Sequence, residues 1–252
     1  MSALTCLNPG DHWSVQGNMG QKLEIGKFLS LKQQELNAED TDFEKLEVCT
    51  QSIHRWLQYC EYHYICLVDA SEEGGLRLDR ISNPGYRRAG ETVPLRYVYE
   101  AHIAAFLNSL HALLDSFPYL LNLFIPVDKP DSMGIKWNEN FINKYKSMCF
   151  YDELMDFMLD CTFNKVKGYV NTIKHKHLIR ISNKWDHLEF ETYRYKQPYR
   201  DKQGKVIFRP EVVAGEDVLP FIEACHGELI PKLFNLGNSI LHFKGSRLAN
   251  DP

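Results

Sequence analysis

The stretch Lys167-Gly168-Tyr169-Val170-Asn171-Thr172-Ile173-Lys174-His175 closes a long run in which apolar residues return every three or four positions. Its reading decides the fold. At about 100° per residue, Leu159, Phe163, Val166, Val170 and Ile173 share one side of a helix. Asn164, Asn171 and His175 fall within one narrow sector on the other side, flanked by Lys167 and Lys174. An amide, an imidazole and two ammonium groups on the polar edge of a core-facing helix can handle a phosphate. The competing reading is a solvated helix face that contains a histidine.

Working outward, this central helix spans about residues 151–177. Only Gly168 interrupts its period, at a cost of about 1 kcal/mol against Ala. Upstream, Thr41-Asp42-Phe43-Glu44 has capping-box spacing and opens a helix of about residues 41–70. A Gly- and Pro-rich loop follows over 71–94, with Arg77, Arg80, Arg87 and Arg88 set among acids. The next helix runs from about Leu95 to Phe117 and is expected to stop at Pro118. Its wheel has three sectors: a broad apolar face from Ile103 to Phe117, a small-residue stripe (Ala101, Ala105, Ser109, Ala112, Ser116), and a polar sector. Glu100, Asn108, His111 and Asp115 make up that last sector. A helix with large, small and polar stripes belongs in the middle of a bundle.

Residues 122–137 read as a loop and 138–149 as an Asn-rich helix. After His177 the period switches to alternation. Residues 178–182, 187–195 and 205–209 read as strands, with Asp201-Lys202-Gln203-Gly204 as turn chemistry. Helical spacing returns over about 216–243, where Pro231 is expected to kink or divide the helix. The fold class is therefore mainly α: a helical bundle with a small antiparallel β-hairpin insertion at about 178–210. Residues 1–94 supply an arm, a long helix and a loop packed on the bundle of 95–243, and the whole is one structural unit.

A chain of 252 residues that is 44% apolar can build one large core. Its net charge of -4 excludes a global basic field, so any nucleic-acid contact must come from a local patch. Seven cysteines include no C-x-x-C pair, which points away from a disulfide framework or structural zinc. The start of the chain lacks a secretory pattern, and the apolar piece Phe117–Val127 is too short to span a bilayer. A cytoplasmic protein with no membrane contact is expected.

Three constellations carry candidate chemistry. Asn171, Lys174 and His175, with Lys167, suit a metal-independent attack of a ribose 2′-hydroxyl on its own phosphate. Glu100, Asn108, His111 and Asp115 can support them. Joined by His175, these side chains also resemble a bundle metal set, but the paired E-x-x-H motifs of di-iron bundles are absent. A satisfied polar cluster, or one that helps orient His175, is the expectation instead, with no metal and no cofactor. Third, the hairpin interleaves Arg194, Lys196, Arg200 and Lys202 with Tyr193, Tyr195 and Tyr199, types that hold a nucleic-acid backbone and stack bases. Nucleophile motifs, phosphate-binding Gly loops and dinucleotide fingerprints are missing.

Over roughly 95–243 the chain resembles HEPN proteins, an all-helical family that includes many RNA-cutting toxins and defence proteins. The residues carrying the resemblance are Glu100-Ala101-His102, Leu110 through Asp115, and Asn171-Thr172-Ile173-Lys174-His175 at the end of a long helix. The family's ribonuclease motif is an Arg followed about four to six residues later by His. His175 matches the His and Asn171 the polar residue after the Arg; Val170 stands where the Arg would be, and Lys167 or Lys174 would supply its charge. The resemblance implies a symmetric homodimer with two His-bearing helices facing a shared cleft. Small residues at Ala101, Ala105, Ala112 and Gly168 suit close helix contacts. Two functions follow as expectations: RNA binding with metal-independent endoribonuclease activity in a toxin or defence setting, or a non-catalytic module that binds nucleic acid, nucleotide or a protein partner.

Overall fold

Leu23, Ile25 and Phe28 draw the start of the chain into the core. In the computed structural model, which describes residues 15–16, 22–34, 41–74, 86–88, 91–130, 132–184 and 187–248, β1 (Val15–Gln16) pairs antiparallel with β2 (Lys22–Leu23). Helix α1 (Ile25–Gln33) follows, and its Phe28 ring meets Phe124 edge-on at 4.8 Å. The sequence reading assigned no helix here, because a nine-residue element that contains Gly26 carries little period.

Helix α2 (Thr41–Gly74) starts where the capping pattern places it and runs beyond the expected end. Arg77 and Arg80 lie outside the described residues. Arg87 and Arg88 belong to β3 (Tyr86–Arg88), which pairs antiparallel with β4 (Glu91–Val93), so this region is not loop throughout.

Helix α3 (Leu95–Phe124) does not stop at Pro118 but passes through it. A proline lacks the N–H that would bond the carbonyl four residues back, here Leu114. The indole Nε1 of Trp137 donates to that oxygen at 2.7 Å, so the orphaned acceptor is satisfied. Trp137 also stacks on Phe117 and Phe157 and meets Phe163 edge-on, with centroids 6.0, 5.0 and 5.6 Å away. Cys49 Sγ lies 3.9 Å from Ser116 O and His63 Nδ1 lies 3.0 Å from His102 Nδ1, so α2 and α3 run antiparallel. Ser116 of the small-residue stripe thus meets a neighbour within the chain.

The expected helix over 138–149 shrinks to α4 (Glu139–Ile142) and a 3-10 turn at 143–145. Asn138 caps it, its Oδ1 accepting from Phe141 N at 2.9 Å. The tighter turn buries Tyr145, whose hydroxyl donates to Ile125 O at 3.0 Å. The central helix is likewise two pieces, α5 (Tyr151–Leu159) and α6 (Cys161–His175). Asp160 breaks it with extended backbone (φ -58, ψ 130) and caps α6 by accepting from Phe163 N at 3.0 Å. Asn164 closes the break from the other side, donating to Met158 O at 2.9 Å and Asp160 O at 2.7 Å.

Strand β5 (Ile181–Asn183) pairs with β6 (Leu188–Phe190), and β7 (Tyr193–Arg200) with β8 (Val206–Val213), both antiparallel. The turn matches its sequence: Asp201 Oδ1 accepts from the N–H groups of Gln203 and Lys205 at 2.9 Å, and Gly204 takes the left-handed conformation at φ 80. The interruption expected at Pro231 is a π-helical turn at Cys225–Leu229, between α7 (Val218–Ala224) and α8 (Ile230–Leu248). Helix α3 packs on both α2 and α6, and α6 in turn carries β7. The middle-of-bundle place read from its three stripes is the place it occupies.

Candidate nucleic-acid interface

Asn164, Lys167, Gly168, Asn171 and Thr172 recur at helical spacing and face the β7–β8 hairpin. The hairpin lies close because residue 168 has no side chain. A Cβ there would overlap the Cβ of Tyr195 and stand 3.1 Å from its Cα. Gly168 is thus used inside the chain, where the sequence reading matched it to close contacts across a dimer. The groove between α6 and the hairpin encloses about 530 Å³.

Four cations line it: Lys167 and Lys176 from the helix side, Arg194 and Lys196 from β7. Phe208 and Pro210 of β8 form its rim, Phe208 being 56% exposed. Pairing explains the set, since Arg194 opposes Val212, Lys196 opposes Pro210, and Phe208 opposes Pro198 on the same face. No carboxylate lines the groove, and among the described residues none of its four cations is held in an ion pair. The ammonium of Lys167 lies 5.1 Å from the Phe163 ring centroid. Its pKa is pushed down chiefly by burial, with Lys136 adding to the shift and Asp115 opposing it. A partly desolvated cation of this kind gains most when an anion arrives.

A second crevice of about 730 Å³ opens between α2 and α3, lined among others by Trp56, His111, Asp115, Tyr119 and Lys174. His111 is buried, with Nδ1 3.3 Å from Asp115 Oδ2. Burial lowers its pKa, Asp115 opposes that, and Lys174 and Lys167 reinforce it. The imidazole is therefore neutral at neutral pH. Cys49, in the same wall, has a thiol pushed up to about 12 by burial and is no nucleophile.

The expected constellations come apart and recombine. Asn171 and Lys167 join Arg194 and Lys196 in the groove, while Lys174 turns to the crevice beside His111 and Asp115. His175, the last residue of α6, is exposed and lines neither cavity. Asn164 and Asn171 still line one groove, although the Asn164 amide is spent on the α5–α6 break. Past His175 the backbone leaves helical geometry at Lys176 (φ -133, ψ -76), and Lys176 joins the groove lining. Glu100 accepts from Arg96 Nε at 3.0 Å and from Ile181 N at 3.4 Å, holding β5 rather than the crevice. Asn108 donates to Ala104 O at 2.8 Å within its own helix. Arg200 and Lys202 are exposed and outside the groove lining. Among the described residues no group of three or more His, Cys, Asp or Glu is placed to hold a metal ion, and no helix is long and apolar enough to cross a membrane.

Sequence reasoning missed Lys176 and Phe208. The turn at 201–204 carried the signal for Phe208, because it fixes the register that sets residue 208 beside Lys196 and Pro198. Lys176 had no such signal, as it follows the end of the periodic run. Compared with known proteins, the chain matches no family model, no curated protein and no solved structure.

Proposed function

We propose that this protein binds single-stranded RNA in the groove between α6 and the β7–β8 hairpin. The observation that carries the reading is the set Lys167, Lys176, Arg194 and Lys196 lining one groove without a carboxylate. In a chain of net charge -4, such a concentration of cations makes a local positive field where the molecule as a whole has none. Phe208 at the rim offers a ring face that an unpaired base can use and a paired one cannot.

The helical bundle with its strand pairs is compatible with the HEPN resemblance. Cleavage would need an acid–base group at the bound phosphate, and the exposed His175 lines neither cavity. The reading taken is therefore binding without cleavage, in which Val170 marks the missing Arg. The test is fluorescence anisotropy with a labelled single-stranded RNA and a DNA of the same sequence. Replacing Arg194→Glu and Lys196→Glu together should weaken RNA binding at least about tenfold and flatten its salt dependence by about 1.4, two contacts at about 0.7 each. Unchanged affinity in the double variant would remove the groove from the account.

A further inference from the structure

Phe208 borders two cavities. Besides rimming the cationic groove, its ring lines a second cavity of about 470 Å³ together with Ser132, Lys136, Glu139 and Asn140. The two cavities differ in chemistry. In the second, Lys144 is neutralised by Asp128, and the remaining polar side chains are the amides of Asn138 and Asn140, the Glu139 carboxylate, the Ser132 hydroxyl and the ammonium of Lys136. The Asn138 amide is spent on Gly134 O and Phe141 N. Among the described residues the Asn140 side chain has no hydrogen-bond partner, so its donor and acceptor are both unspent. Glu139 Oε1 is engaged at long range only, by Val206 N at 3.5 Å.

A row of cations, an exposed ring at its edge, and an amide with a carboxylate acceptor beyond the ring form the complement of a nucleotide in order: phosphate, base face, base edge. We infer that Phe208 is a stacking platform for one nucleobase, whose edge enters the second cavity at Asn140 and Glu139 while the neighbouring phosphates lie along Lys167, Lys176, Arg194 and Lys196. This rests on the groove reading above and goes further, because a purely electrostatic groove would accept any polyanion and this one requires a base.

The test compares a base-bearing single-stranded RNA with a fully abasic strand of the same length and charge, titrated into the full chain. The parent protein should prefer the base-bearing strand by about tenfold or more. Phe208→Ala should collapse that preference toward unity, and Phe208→Tyr, which keeps a ring face, should retain it. Equal affinity of the parent for both strands, or a preference that survives Phe208→Ala, overturns the platform while leaving the cationic groove standing. Absence of binding by either strand overturns the groove reading and the platform with it.

Discussion

His111 shows what burial does to a single titratable group. Its folded pKa lies below the ordinary 6.5, first because of desolvation and then, against the opposing charge of Asp115, because of the positive charges of Lys174 and Lys167. The unfolded chain therefore takes up the proton before the folded one does. Stability from this residue is complete above about pH 6.5 and falls as the pH drops through that value toward the folded pKa. His54 and His63 are also held down by burial and add slope of the same sign. Urea midpoints at about pH 7.5 and about pH 5.5 should differ less for His111→Gln than for the parent, and an equal difference would contradict the assignment. The residue types at 111 and 115 were legible in the sequence, since i,i+4 spacing alone brings them together. That Lys174 would face them, rather than stay with Asn171, depends on where α2 packs, and no local pattern encodes that.

Between α6 and β7 the contact is set by Gly168. In an isolated helix Ala would be preferred there by about 1 kcal/mol. In this fold a Cβ would overlap that of Tyr195, whose backbone is fixed by pairing with Glu211, so overpacking wins over propensity. Gly168→Ala should lower stability by about 1–3 kcal/mol in chemical denaturation and weaken RNA binding, since it pushes Arg194 and Lys196 away from the helix. A neutral or stabilising result would mean that the hairpin does not rest on α6. Elements with many turns of period, α2 and α3, were legible from the sequence. Their starts were legible too, but their C-terminal ends were not; in α3, Pro118 is tolerated through a bond from Trp137, 23 positions away from Leu114. The break at Asp160 was missed for the opposite reason. Its cap is local, but the apolar period runs through it without interruption.

Across the whole molecule, charge is organised by where elements meet. Carboxylates outnumber cations, 33 to 29, yet the α6–hairpin groove contains four cations and no acid. The mainly helical class and the hairpin insertion were readable because each depends on periodicity. The groove was readable only as two separate halves, the polar edge of one helix and the basic strand of one hairpin, since joining them needs the tertiary contact at Gly168. The most direct test of the joined site is photo-crosslinking of the full chain to a single-stranded RNA bearing 4-thiouridine, with the modified peptides mapped by mass spectrometry. Crosslinks should fall on the peptides that carry Arg194–Lys196 and Phe208. Crosslinks gathered instead around Trp56 and His111 in the α2–α3 crevice, or scattered evenly over the surface, would contradict the account.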